Sequence, residues 1–347
     1  MSVKTLYGVA LDITYGCTMN CVHCFNSSGG NRVVHKELSD EDWMILVKDI
    51  IQLKPDTVCI CGGEPLTRKN LLLKIIAYIK NSEYGNIIQV NFVSNGELID
   101  EQTAKEIKEA GTDLVQISLD GHNNETCKVL RNKENAFDIA IRAIKNLKKF
   151  NINTATAFVP HKLNYQHFSE TYKIQKELGV KMIRLQPLML LGRAKQYLKE
   201  YELSSKEYRA LLKEVNLLKL KNKNSFPALE WGDPSEHFLN ISRDIKNGVF
   251  VYTNTIIIDA YGNISASPYL PVKAGNIKKY SILKYWEDGL KCIWNSKLFS
   301  KYALMVNTTE DLDFSLNDNT IPELNLNETL IYDIIDDKEV YGFESII

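Results

Sequence analysis

Between residues 9 and 187 the sequence alternates two kinds of segment, and this alternation restricts the fold more than any other feature. Short apolar runs read as strands at residues 9–13, 57–60, 87–93, 114–119, 154–159 and 181–186. Between them, runs with apolar residues three or four apart read as helices at 43–53, 71–80, 100–110, 136–150 and 166–178. The boundaries carry matching chemistry. Ser39 with Asp42 three positions on is an N-cap pair, Gly111 and Gly179 stop helices, and Pro160 and Pro187 stop strands. Six strands alternating with five helices predict an α/β fold, a parallel sheet with helical crossovers. If that sheet curls into a barrel, the C-terminal strand ends meet at one face, where barrel enzymes place their active sites.

The residues that a mere scaffold would not need fall at those ends. Cys17-Thr18-Met19-Asn20-Cys21-Val22-His23-Cys24 follows the first strand and Gly62-Gly63-Glu64-Pro65 the second. Ser94-Asn95-Gly96 follows the third, and Ser118-Leu119-Asp120-Gly121 the fourth. Three thiols within so short a stretch are soft ligands, suited to an iron–sulfur cluster or zinc. Structural and electron-transfer sites usually take four ligands. Three leave a position open, and an open position is where substrate chemistry can happen. A structural zinc site is the competing reading, with His23, His35, Cys59 or Cys61 as fourth ligand. A ferredoxin-type carrier would need its regular spacing and a fourth cysteine in a Cys-Pro context, and both are missing.

The totals narrow the class. Seven cysteines, odd in number and clustered, do not make a secreted disulfide framework and point to a reducing cytoplasm. A formal net charge of −1 provides no field for nucleic acid or an anionic membrane surface. No secretory signal opens the chain, and no run approaches the ~18 apolar residues of a membrane span.

Beyond residue 195 the pattern changes. Residues 204–220 read as a helix and 226–247 as irregular. A strand pair at 253–259 and 263–267 flanks the turn Tyr261-Gly262, and Gly275-Asn276-Ile277 leads into a helix containing Tyr285-Trp286. From residue 310 there are eleven Asp or Glu against one Lys, with apolar residues such as Leu324, Leu326, Ile331 and Ile334 interleaved. The expected organisation is a core barrel over 1–195, a smaller α+β region over 196–309 and an acidic tail over 310–347. That tail would be solvated, bind a partner, cover the barrel or add a strand.

Cys-x3-Cys-x2-Cys, Gly-Gly-Glu-Pro and Ser-Leu-Asp-Gly, in this order at strand ends, resemble the radical S-adenosylmethionine (SAM) superfamily. The resemblance is close over residues 5–195 and looser over 225–300. It implies a partial (β/α)6 barrel with one 4Fe–4S cluster on Cys17, Cys21 and Cys24, and SAM at the open iron. An external donor such as flavodoxin or ferredoxin would reduce the cluster, and a 5′-deoxyadenosyl radical would then abstract hydrogen from substrate. On the same basis Gly62 and Gly63 would admit the methionine end of SAM, and Glu64 would receive its ammonium group or order the loop. Ser118 and Asn95 would reach the ribose. Arg131, one residue beyond the family spacing, would pair with the SAM carboxylate. Plainer readings stand beside these: turn residues at Gly62–Glu64, Asn95 and Asp120, an ordinary surface arginine at Arg131, and no chemical role for His23.

Residues 256–264, Gly275-Asn276-Ile277 and Tyr285-Trp286 resemble the SPASM or twitch extension of radical SAM peptide maturases. Gly192-Arg193-Ala194 is similar to the family's bridge into it. Ser267 stands where relatives with auxiliary clusters carry a cysteine, so no second cluster is expected. The resemblance implies a cytoplasmic enzyme acting on a ribosomally made peptide. Its leader would be recognised by the C-terminal region or by a separate leader-binding protein, since the first strand begins near residue 9. The alternatives are a small metabolite or cofactor precursor as substrate, or a non-catalytic, metal-stabilised binding protein or degenerate partner of another radical enzyme. Cys127 or Cys292 would return a hydrogen atom to a substrate radical, or would be a packed thiol. Cys59 and Cys61 are expected as small buried hydrophobes, and Arg184 and Gln186 as satisfied strand-end polar residues.

Overall fold

Side-chain alternation along the strands, one position toward the helices and the next away from them, sets the architecture. In a computed structural model, which describes residues 6–30, 36–223, 225–314 and 330–343, seven strands lie parallel in sequence order: β1 (Gly8–Asp12), β2 (Thr57–Cys61), β3 (Gln89–Ser94), β4 (Leu114–Ser118), β5 (Asn153–Phe158), β6 (Met182–Leu185) and β7 (Ala228–Trp231). The crossovers are α1 (Asp40–Leu53), α2 (Lys69–Lys80), α3 (Glu101–Ala110), α4 (Asn124–Arg131) with α5 (Ala136–Lys149), α6 (Phe168–Leu178), and the pair α7 (Arg193–Tyr197) and α8 (Ser205–Lys221). Three later strands extend the order β1-β2-β3-β4-β5-β6-β7 beyond β1 without closing it, so the sheet is an incomplete barrel, as expected from the sequence.

Positions 9, 58 and 90 pair across the first three strands, and 11, 60, 92 and 115 across the first four. All are apolar, fully buried and packed beneath the helices. Fully burying one such side chain stabilises by about 1.5–3 kcal/mol, so this face dominates the fold. The alternate positions line the inner face and are polar or small. Ala10, Cys59 and Asn91 share one row, Asp12 and Cys61 another, and Ser118, Ala157, Arg184 and Glu230 a third.

Three elements differ from the sequence expectation. The stretch 226–247, expected as irregular, contains β7 and the helix α9 (Pro234–Lys246). Asp233 caps α9 through Ser235 N at 2.9 Å, Pro234 occupies the first turn, and Phe238 and Ile241 are buried on one face. Gly232 and Pro234 read as loop punctuation, and they masked a short helical period. In the same way Asn123 and Thr126 form a capping box that starts α4 immediately after a turn.

Strands from residues 196–309 join the barrel's own sheet at both edges. β7 extends it beyond β6. On the other side β8 (Thr255–Ile258) runs parallel to β1 and forms the expected hairpin with β9 (Asn263–Ser265). After β10 (Val272–Lys273), β11 (Gly275–Asn276) pairs back onto β9, and α10 (Ile282–Glu287) and α11 (Lys297–Met305) follow. The acidic segment is partly built into this core. Leu312, Phe314, Ile334 and Tyr341 are buried, and β12 (Leu330–Ile331) pairs with β10 ahead of α12 (Lys338–Tyr341). Leu324 and Leu326 lie outside the described residues. Among the described residues no helix is long and apolar enough to cross a membrane.

One phenol ties the C-terminal segment down. Tyr285 Oη donates to Asp333 Oδ2 at 2.7 Å, both groups being buried, and Asp333 has a second partner in Lys279 at 3.5 Å. A buried hydrogen bond to a charged acceptor contributes about 1.5–3 kcal/mol. Tyr285→Phe is therefore expected to lower thermal stability and to speed proteolysis after residue 314 while leaving the barrel intact. Unchanged melting and digestion patterns would refute this anchoring role.

Candidate active site

The C-terminal ends of β1 to β4 and β6 deliver their loops to one place, and the loops hold each other by backbone contacts. Gly63 N donates to Thr14 O at 2.7 Å and Glu64 N to Gly16 O at 2.8 Å. A methyl group on Gly62 would stand 2.2 Å from Thr14 O, and one on Gly63 2.2 Å from Gly16 O. Gly62 also adopts a φ of +136°, which side chains disfavour. The close approach these glycines allow is therefore to the loop that carries the cysteines.

Glu64 is the hub of the next contact. Its carboxylate is fully buried and accepts from Leu66 N (3.2 Å), Ser94 Oγ (3.0 Å) and Asn95 N (2.7 Å). These donors all belong to the chain, so Glu64 joins the second and third strand-end loops. Burial pushes its carboxyl up to about 7 despite these bonds. Asn95 passes the linkage on. Its Nδ2 donates to Thr18 Oγ1 at 3.1 Å and lies 3.7 Å from Cys17 Sγ, while its Oδ1 accepts from Glu97 N at 2.8 Å.

The three motif cysteines are free thiols on this loop, surrounded by donors. Met19 N points to Cys17 Sγ at 3.4 Å and Ser28 N to Cys24 Sγ at 3.3 Å. The Cys24 thiol donates to Asn26 Oδ1 at 3.0 Å, and Asn26 Nδ2 reaches Gly62 O at 3.2 Å. Arg131 Nη1 lies 4.0 Å from Cys21 Sγ. Burial raises the Cys17 thiol to about 11 and also raises Cys21, while the Arg131 charge beside Cys21 opposes the shift. Soft ligands ringed by N–H donors and one guanidinium fit an anionic thiolate-bound cluster. Among the described residues no three His, Cys, Asp or Glu gather as ligands of a single ion. His23 Nδ1 lies 3.1 Å from Leu130 O, and His35, the other histidine considered for zinc, lies outside the described residues.

Arg131 is not a surface residue. Its Nε donates to Asp120 Oδ2 at 2.6 Å, with the side chains 12% and 0% exposed. Asp120 also accepts from Val159 N at 2.9 Å, so it ties β4's end to β5's. The Arg131 charge holds the Asp120 carboxyl below its usual range against the effect of burial. Ser118 ends β4 on the inner face.

Arg193 carries a role that sequence reading missed. Its Nε donates to Cys21 O and its Nη2 to Ser28 O, both at 2.8 Å, so it clamps the cysteine loop from the β6 side. A methyl group on Gly192 would meet Phe25 O at 2.2 Å. The signal was the Gly-Arg pair itself, legible as a bridge but not as a clamp.

The lone thiols lie elsewhere. Cys127 on α4 is 1% exposed within the main core, and burial pushes its thiol up to about 12. Cys292 is buried in the turn Leu290–Asn295, 3.5 Å from Gly289 O. Cys59 and Cys61 correct the expectation of isolated buried hydrophobes. They are half-buried on the inner face with their sulfurs 3.3 Å apart. Arg184 shares that face and is exposed within it, and it makes no hydrogen bond or ion pair among the described residues.

Glu64 offers a direct test of the loop linkage. Glu64→Ala leaves three buried donors unmatched and is expected to cost about 3 kcal/mol in denaturant unfolding. The folded protein holds the carboxyl at about 7 against an ordinary 4.5. This group therefore favours folding most below the lower value and progressively less up to the higher one. Glu64→Gln should flatten that slope between the two pH values, and an unaltered profile would contradict the assignment.

Comparison with known proteins agrees with this geometry. Residues 11–174 match the family described as the Radical SAM superfamily. An AdoMet-dependent heme synthase of Methanosarcina barkeri is 26% identical over 302 residues, taking in 81% of this chain and 82% of that protein. The mycofactocin maturase MftC of Mycolicibacterium smegmatis is 30% identical over 51% of this chain but only 44% of its own length. Among solved structures, Streptococcus suis SuiB bound to S-adenosylmethionine superposes with a TM-score of 0.65 at 16% identity, over 87% of this chain and 68% of SuiB. The family match, on an open barrel whose three-cysteine loop sits at the C-terminal strand ends, identifies a radical SAM domain over residues 11–174 of this chain.

Proposed function

We propose that this enzyme reductively cleaves S-adenosylmethionine at a 4Fe–4S cluster held by Cys17, Cys21 and Cys24, and abstracts a hydrogen atom from a substrate on the inner face of the barrel. The observation that carries this reading is the seam itself: three free thiols, Gly62–Glu64 and Asn95 are brought together by direct hydrogen bonds at one barrel mouth. When bound, the cluster would supply the electron that breaks the sulfonium S–C5′ bond and so generates the 5′-deoxyadenosyl radical.

The chain's own residues then have defined tasks. Arg193, Asn26 and the Gly62–Gly63 backbone fix the shape of the cysteine loop. Arg131 sets a positive charge beside Cys21, which favours the thiolate. Ser118 faces the inner surface below the mouth, where the ribose of SAM would lie. Cys127 and Cys292, as hydrogen donors, would each have to leave a packed interior.

A ribosomally made peptide is the first reading of the substrate, supported by the maturase relative. A cofactor precursor is the second, and it is favoured by one specific observation: the heme synthase relative matches over most of both chains. An external one-electron donor such as flavodoxin or ferredoxin would serve either case.

Anaerobic reconstitution with iron and sulfide should yield one 4Fe–4S cluster per chain. The reduced protein with SAM should release 5′-deoxyadenosine, and Cys21→Ala should reduce that release to background. Binding of a single zinc with no SAM cleavage would sink the proposal. Mass spectrometry of co-expressed neighbouring peptides, and of tetrapyrrole precursors incubated with the enzyme, separates the two substrates.

A further inference from the structure

Of the seven thiols, three lie on the cysteine loop, and Cys127 and Cys292 are packed in the interior. The remaining two face the barrel's interior space. Val58 and Ile60 are fully buried beneath the helices, so alternation along β2 turns Cys59 and Cys61 to the inner face, where both are half-buried. Strand register fixes their surroundings. Cys59 lies between Ala10 and Asn91, and Cys61 beside Asp12. Cys61 ends β2 and directly precedes Gly62, whose carbonyl oxygen accepts from Asn26 Nδ2 at 3.2 Å. Asn26 Oδ1 in turn accepts from the Cys24 thiol at 3.0 Å. The pair therefore sits at the strand end to which the cysteine loop is tied.

The two sulfurs are 3.3 Å apart, close enough for one thiol to donate to the other. That hydrogen bond, burial and the nearby Asp12 hold the Cys61 thiol protonated, above its usual range. Reaction at a thiol needs access, which these two have and Cys127 and Cys292 lack. Two residues along a strand span about 6.4–6.8 Å between Cα atoms, at the upper end of what a disulfide tolerates. The pair can close, but under strain, and a strained disulfide is easily reduced again.

We propose that Cys59 and Cys61 are a redox-active dithiol that ends the radical reaction by returning a hydrogen atom to the substrate. This deepens the reading above, that a substrate radical forms on the inner face, and rests on it. The substrate carbon radical takes a hydrogen atom from one thiol: a C–H bond forms, an S–H bond breaks and a thiyl radical remains. The second thiol loses its proton to solvent and its sulfur joins the thiyl, giving a disulfide radical anion. The oxidised form of a flavodoxin- or ferredoxin-class carrier takes the extra electron and leaves a neutral disulfide. In sum the dithiol gives up two protons and two electrons, and one of each ends in the product C–H bond. An external dithiol restores the pair by thiol–disulfide exchange.

The first test uses the full chain without reconstitution. Trypsin releases residues 49–68, which hold both thiols and no other cysteine. After mild oxidation with diamide this peptide should be two mass units lighter, and dithiothreitol should reverse the change. A peptide that keeps both free thiols, or is found only linked to another peptide, overturns the pair. In the second test the reconstituted, reduced enzyme receives SAM in deuterium oxide without added thiol, so that the 5′-deoxyadenosyl radical is itself the probe. Water does not supply the hydrogen atom, because its O–H bond is stronger than the C–H bond formed, whereas exchanged thiols carry deuterium. The 5′-deoxyadenosine released should contain deuterium, and peptide 49–68 should be lighter afterwards. The double variant Cys59→Ala with Cys61→Ala, and its serine counterpart that keeps the side-chain size, should each lower the deuterium content per 5′-deoxyadenosine at least tenfold. Product without deuterium from wild type, or undiminished deuterium in both double variants, overturns the dithiol and leaves SAM cleavage standing. No release of 5′-deoxyadenosine by wild type removes the radical reading, and this proposal with it.

Discussion

The candidate site depends on the seam between Thr14–Gly16 and Gly62–Glu64. Two backbone hydrogen bonds close it, and the absence of side chains at 62 and 63 lets it close. A methyl group at either position would stand far inside van der Waals contact with a carbonyl oxygen, a clash that backbone cannot relieve cheaply. Everything downstream takes its place from this seam. It sets the direction in which the chain leaves β1, and hence where the thiols lie. It also points Glu64 at the third loop, so that the second and third loops share one buried carboxylate.

Charge is distributed unevenly around the site. At the rim the protein neutralises itself. Arg131 faces Asp120, and Arg193 is spent on carbonyl oxygens. On the inner face Arg184 is exposed and makes no ion pair among the described residues, although Glu230 stands opposite it in the same row. Buried pairs are at best modest contributors to stability, since desolvation consumes most of the attraction, and unpaired charges are a net cost. The rim therefore reads as scaffold for the cysteine loop.

Much of the barrel was legible because its signals are local. Period-two apolar runs, the Ser39–Asp42 cap and the helix-stopping Gly111 and Gly179 are each read within a few residues, and the structure reproduces them with small shifts at the ends. The convergence of the motifs followed from topology alone. What stayed hidden depends on partners far away in sequence. Arg131 looks like a surface residue until Asp120 is seen beneath it, and Arg193 acquires its task only from carbonyls at Cys21 and Ser28. Cys59 and Cys61 looked like core because the strand around them is apolar, although the period-two pattern already set them on the face opposite Val58 and Ile60. α9 was missed for the opposite reason, since the glycine and proline before it are local signals that suggest a loop.

The pairing of β1 has a further meaning for the order in which the molecule is made. One edge of β1 meets β2, but the other meets β8, with Gly8 opposite Thr255. The loop that leaves β1 is clamped again by Arg193, from beyond the sixth strand. During synthesis the thiols and the Gly62–Glu64 seam therefore emerge before Arg193 and β8, which complete the support of the loop and of β1. Contacts of such long sequence separation form late. A chain ending before residue 193 would carry the three cysteines on a loop that lacks one clamp, beside a strand with one open edge.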